Sequence, residues 1–283
     1  MFGMTKQPYH TVQAEHLFDD LQRIRDTNPL IHSISNLVVM PIVANVLLAL
    51  GASPIMAHAE TELPDIINGC NAVVINIGTL DPTWLSAIQT TQAIALQKKR
   101  PIVFDPVGAG ASQYRTDTAK AILAAGIQVL RGNASEIMAL GGERCKPKGV
   151  DSLEASDQAL PTAQALAKKY GCLVVVSGKI DLVVSTERYV WLSYGTPLLT
   201  KVVGMGCSLT AVIASFLTVN ADSFNAAIHA MALFGLAGQL SSRTAAGPGT
   251  FYVQLLDTLS TLQVGDLGIL LNQRHADYAR QLL

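Results

Sequence analysis

Gly204-Met205-Gly206-Cys207 opens a long apolar run, and its composition is suited to holding an anion. Two glycines let the backbone turn tightly, so successive N–H groups can point at one spot. A helix starting there adds partial positive charge. A cysteine in that first turn is expected to have a lowered pKa and a larger thiolate fraction. A second set of residues follows apolar strand-like runs. Asp105-Pro-Val-Gly-Ala-Gly110 follows one, Arg131-Gly-Asn133 closes another, and Ser177-Gly178 a third. Asn133-Ala-Ser-Glu136 fits a helix capping box, with Asn133 as N-cap and Glu136 reaching back. The competing reading places Asp105 and Glu136, through water, beside a phosphate-bound Mg²⁺, because Mg²⁺ takes one or two carboxylates and keeps phosphate oxygens and waters.

Familiar nucleotide motifs are missing. There is no GxxxxGK[ST], and Gly108-Ala-Gly-Ala-Ser-Gln113 lacks the last glycine of GxGxxG. The cysteines (70, 145, 172 and 207) form no CxxC pair, and the histidines form no HExxH, so neither a zinc ribbon nor a zincin is supported.

The elements that must position these residues are legible as alternation. Uniformly apolar short runs at 30–34, 54–57, 72–77, 101–104, 128–130 and 173–176 read as strands. Segments 11–26, 43–50, 81–99, 119–125, 135–140 and 158–170 read as helices, with Gly51 as a C-cap and Pro82 in a first turn. Uniformly apolar strands separated by helices indicate a parallel sheet covered on both faces. Residues 182–185 and 188–192 read as an antiparallel hairpin extending it, and two apolar helices follow between 207 and 242. Ligands of such sheets bind beyond the carboxyl ends of the strands, where the polar segments fall. Ser35-Asn36 and Gly78-Thr79 lie at two more such ends. The whole chain, 1–283, is expected to form one domain, with 141–149 a loop rather than a boundary.

Composition narrows the class. Lys and Arg total 20 against 21 Asp and Glu, a net charge of −1, which offers nothing to nucleic acid or an anionic membrane. Charged residues make up 14%, against about 25% in a typical domain. Such a deficit implies surface hidden in an oligomer. No charged residue occurs across 27–59 or 202–221, but asparagines, prolines and glycines interrupt both stretches, so neither reads as a membrane span. The N-terminal residues, including Lys6, Glu15 and Asp19, carry no signal-peptide core, and a cytoplasmic location is expected.

The segments SNLVVM, ANVLLALGASPIMAHA, INIGTL, DPVGAGAS, RGNASEIMALGG, KGVDS, TKVVGMGCSLTAV and GPGTF occur in order between about residues 12 and 262. In this the chain resembles the hydroxyethylthiazole kinase family of the ribokinase-like superfamily. The resemblance implies a three-layer α/β/α fold, and ATP-dependent phosphorylation of 4-methyl-5-(2-hydroxyethyl)thiazole for thiamine salvage. It further implies Mg²⁺ and a homotrimer with interfacial sites. Carried over, the thiazole alcohol lies near Asn36, Met56 and Gly204. Arg131, Ser177, Gly206 and Asn133 face ATP and its phosphates, and Asp105 and Glu136 serve the metal. Cys207 takes the catalytic position where related kinases carry an aspartate base. Met205, Ser177 and Ser35 each replace a threonine, and only Met205 loses a hydroxyl. The alternatives are another small-alcohol kinase, of the hydroxymethylpyrimidine type, and a non-catalytic ATP-binding protein on the same scaffold.

Overall fold

The computed structural model describes residues 11–143 and 153–281. The KGVDS segment, Cys145 and Lys6 lie outside the described residues. Six parallel strands form the sheet: β1 (Leu30–Ile34), β2 (Ser53–Ile55), β3 (Ala72–Asn76), β4 (Ile102–Asp105), β5 (Val129–Asn133) and β6 (Leu173–Ser177). The antiparallel β7 (Asp181–Val184) and β8 (Tyr189–Leu192) extend it, giving the order β2-β1-β3-β4-β5-β6-β7-β8.

Alternation along each strand sorts side chains between two cores. Ile31, Val74, Val103, Val129 and Val175 face one helical layer. It comprises α1 (Ala14–Thr27), α2 (Met40–Leu50), α8 (Met205–Leu217), α9 (Ser223–Ser242), α10 (Pro248–Thr261) and α11 (Val264–Gln281). Ile34, Ile75, Phe104, Leu130 and Val176 face the other. That layer comprises α3 (Leu63–Gly69), α4 (Pro82–Gln97), α5 (Gln113–Ala125), α6 (Ala134–Leu140) and α7 (Leu153–Tyr170). The three-layer arrangement expected from the sequence is present.

Local chemistry explains the boundaries. Asp81 accepts the Trp84 amide at 2.9 Å and starts α4, and Ser112 caps α5 from its Oγ. Gly51 ends α2 in the left-handed region. Arg25 reaches from α1 to the carbonyls of Leu259, Ser260 and Leu262, closing the C-terminus of α10. Sequence reading missed α3, α10 and α11, and began α2, α5 and α7 late. The first turn of α5 is polar, and its Ser112 cap rather than periodicity marks where it begins. Helix α2 opens on Met40-Pro41, where proline fits a helix's first turn as well as a loop.

Candidate active site

Sheet register builds the site. Asn76 pairs with Asp105, and Phe104 pairs with Leu130, so Asp105 and Arg131 stand side by side. All three follow residues of the second core by one position and therefore point toward α8. The Asp105 carboxylate is buried. Its Oδ2 accepts from Thr210 Oγ1 at 2.9 Å, Asn76 Nδ2 at 3.3 Å and Arg131 Nη1 at 3.5 Å. Its Oδ1 is buried without a hydrogen-bond partner. Burial pushes the Asp105 carboxyl up, while Arg131 and Thr210 oppose the shift. Arg131 also donates from Nη2 to Ser177 Oγ.

The N-terminus of α8 closes over this row. Gly204 is its N-cap at φ 83°, a conformation that strains residues with a Cβ. The first intrahelical bond is donated by Ser208 to Gly204. The amides of Met205, Gly206 and Cys207 precede it and are open to an anion. A Cβ on Gly206 would lie 2.8 Å from Arg131 Nη1, so glycine there lets the helix meet the guanidinium. Two sources of positive charge thus converge. Met205 is 3% exposed and packs into the α8-side core. Its side chain is taken up by that core, which leaves its backbone amide at the helix start.

Asn76 is a hub that sequence reading missed. Its Nδ2 donates to Cys207 Sγ at 3.2 Å as well as to Asp105, and its Oδ1 accepts from Asn36 Nδ2 at 2.9 Å. Asn36 also approaches Cys207 Sγ at 3.6 Å. The lowered thiol pKa expected at a helix N-terminus is not found. Burial and then the Asp105 charge push Cys207 up to about 11, against the opposing pull of Arg131, Asn76 and Asn36. Burial and the nearby carboxylate thus keep the Cys207 thiol protonated near pH 7.

Glu136 and Asn133 form the capping box: Asn133 Oδ1 accepts the Glu136 amide at 3.0 Å, and Glu136 Oε2 accepts the Asn133 amide at 2.9 Å. Glu136 Oε1 accepts the Gly108 amide at 3.0 Å, which links α6 to the loop after β4. Burial and the Asp105 charge push Glu136 up, while these amides and Arg131 oppose. Capping does not exhaust a carboxylate, which has about four lone-pair positions. Two buried carboxylates that repel each other, one with a bare oxygen, fit a divalent cation. Among the described residues no cluster of three or more His, Cys, Asp or Glu could cage a metal alone, so phosphate oxygens and water must complete any coordination, as Mg²⁺ prefers.

Other expected residues lie around this centre. Met56, just beyond β2, packs partly buried against the α8-side core. It is separated from Asp105 by the ends of β1 and β3. Gly204 borders Val39 and Ile42 in the space between. Asp181, also missed, accepts the Gly178 amide at 2.9 Å. Burial pushes its carboxyl to about 7, with Gly178 and Arg131 opposing.

The parallel α/β/α sheet, whose strand ends present a carboxylate and an arginine to a glycine-opened helix, has a ribokinase-like fold. A ribokinase-like superfamily protein from Enterococcus faecalis shares that fold, with a TM-score of 0.65 at 14% identity, covering 92% of this chain and 98% of that one. The particular family follows from closer matches. Residues 21–265 match the model of the hydroxyethylthiazole kinase family, and the chain belongs to that family. A relative from Desulfotalea psychrophila named hydroxyethylthiazole kinase is 45% identical over 242 residues, covering 85% of this chain and 89% of the relative. The structure of a hydroxyethylthiazole kinase from Pyrococcus horikoshii has a TM-score of 0.83 at 39% identity, covering 89% of this chain and 96% of that one. The chain is accordingly a kinase.

Proposed function

We propose that this chain transfers the γ-phosphoryl group of ATP to the hydroxyl of 4-methyl-5-(2-hydroxyethyl)thiazole, giving the thiazole phosphate used in thiamine salvage. The observation carrying this reading is the meeting of Arg131 with the open amides of α8, directly beside Cys207 and Asn36. Phosphoryl transfer through a loose transition state asks mainly for positioning and charge neutralisation. Arg131 and the amides of 205–207 face the phosphate oxygens, and Ser177 holds the guanidinium. Asn133 borders the same strand end. The apolar alcohol lies between Met56, Gly204 and Asn36, with its hydroxyl toward Cys207. In a loose transition state the alcohol keeps its proton until late and passes it to an oxygen of the transferred phosphoryl group, so a neutral thiol suffices as a hydrogen-bond partner that orients the hydroxyl. Asp105, through its bare Oδ1, and Glu136 would hold Mg²⁺, which neutralises charge on the phosphate oxygens when bound.

Leu37, Val38 and Val203 flank Asn36 and Gly204 and are about 60% exposed. This exposed apolar patch beside the alcohol pocket supports an oligomer with interfacial sites, the homotrimer that the family resemblance implies. Among the described residues no helix is long and apolar enough to cross a membrane. The described cysteines are free thiols, which supports a reducing, cytoplasmic setting. The test is a coupled ADP-release screen of thiazole, pyrimidine and sugar alcohols. The thiazole alcohol should exceed hydroxymethylpyrimidine at least about a hundredfold in kcat/KM, the discrimination that a polar mismatch in a buried pocket can reach. Equal rates would move the chain to another alcohol, and no turnover of any alcohol would make it a binding protein.

A further inference from the structure

Arg115, near the start of α5, is assigned to none of the roles above. Its Nη1 donates to the carbonyls of Ile77 at 2.6 Å and Val107 at 2.8 Å, and its Nη2 to that of Gly78 at 2.7 Å. These carbonyls belong to the loops that follow β3 and β4. A trans peptide points its C=O and N–H in opposite directions. The amide across the Ile77 peptide is that of Gly78, which donates to Asn76 Oδ1 at 2.9 Å. The amide across the Val107 peptide is that of Gly108, which donates to Glu136 Oε1 at 3.0 Å. One guanidinium thus grips three peptides, and two of them, 77–78 and 107–108, use the amide on their far side to hold another side chain. The far side of one holds the Asn76 hub beside Cys207, and the far side of the other holds Glu136.

We propose that Arg115 is a positioning residue for phosphoryl transfer: it fixes and polarises the 77–78 and 107–108 peptides so that their amides hold Asn76 and Glu136 in place. Hydrogen bonds in series strengthen one another in a low-dielectric setting, and a planar fork reaches several carbonyls where an ammonium is a point donor. The inference rests on the kinase reading for its rate readout only. Among the described residues no hydrogen bond joins Arg115 to Arg131 or Ser177, so nucleotide binding and the transfer step should respond differently to its loss.

The test compares Arg115→Met, Arg115→Lys and Ser112→Ala. Ser112 Oγ caps α5 through the Arg115 amide at 3.2 Å, so its loss loosens the same helix start without releasing the two peptides. Three quantities are read: kcat with the thiazole alcohol, the calorimetric Kd for ADP, and the melting temperature. Arg115→Met should lose kcat about 30-fold or more with the ADP Kd within threefold of wild type. Arg115→Lys should recover part of the rate, and guanidinium ion added to Arg115→Met should recover more. Ser112→Ala should lower the melting temperature and keep kcat within threefold. Parallel loss of ADP binding and kcat in Arg115→Met, or an equal rate loss in Ser112→Ala, would reduce Arg115 to a loop stabiliser and overturn the proposal. If wild type turns over no alcohol, the kinase reading has failed. The crystal structure of Arg115→Met then decides alone, since undisturbed Asn76 and Glu136 would refute the positioning role.

Discussion

Gly206→Ala separates binding from stability with one methyl group. Alanine is favoured over glycine within a helix by about 1 kcal/mol, so α8 itself should not weaken. The added Cβ would stand 2.8 Å from Arg131 Nη1 and 3.1 Å from Nη2. The guanidinium has little room to retreat, being 8% exposed and held by Ser177 and Asp105. It must tilt away from the helix amides, and its contact with the phosphate is lengthened or lost. A charge-assisted hydrogen bond contributes about 1.5–3 kcal/mol. With a tenfold change for each 1.4 kcal/mol, the KM for ATP should rise about 10- to 150-fold. Steady-state kinetics at saturating alcohol read the KM, and a thermal melt reads the fold. The gain in helix propensity and the cost of displacing the guanidinium oppose each other, so the melting temperature should stay within a few degrees of that of wild type. An unchanged KM in a stable variant would show that Arg131 and the α8 amides do not share the phosphate.

Further tests probe the other residues. Glu136→Gln can still complete the capping box through its oxygen, but its amide nitrogen would then face the Gly108 N–H, so the melting temperature should fall modestly while the Mg²⁺ needed for half-maximal rate rises several-fold. A shift in melting alone would leave Glu136 a cap and nothing more. Alkylation of Cys207 by iodoacetamide in the substrate-free enzyme should be slow at pH 7 and climb with pH toward about 11. A plateau reached below pH 8 would restore the thiolate. Asp20 joins α1 to α9 by accepting from His229 at 2.7 Å and Asn220 at 2.6 Å. Burial pushes its carboxyl up, but these bonds prevail and hold it below its ordinary value of 3.8. A depressed carboxyl stabilises the fold fully above its unfolded pKa and loses that contribution as pH falls through the folded one. Asp20→Asn should therefore cost about 1–3 kcal/mol at pH 7, with the gap to wild type closing below about pH 3.8 in urea titrations.

The sheet was legible because buried parallel strands are apolar on both faces, as in residues 72–76, and the polar residue that ends such a run marks the carboxyl edge. Asp105, Arg131 and Ser177 were found by that rule. Asn76 lies inside the run read as a strand, 72–77, and a single amide there is silent until register sets it against Asp105. Thr210 and Arg115 act across gaps of 105 and up to 38 residues, which no local spacing reveals. The thiol shift of Cys207 was misjudged for a related reason. The helix end is visible in the sequence, but the carboxylate facing it comes from β4. The capping box at 133–136 was fully local, and it stands as expected.

Phosphoryl transfer at the N-terminus of α8 is tested most directly by a crystal structure of the chain with ADP and the thiazole phosphate. The product phosphate oxygens should accept hydrogen bonds from the Met205, Gly206 and Cys207 amides, with Arg131 on the same phosphate or the adjoining β-phosphate, and the thiazole ring against Met56. A product phosphate bound elsewhere, with those amides facing only water, would contradict the assignment.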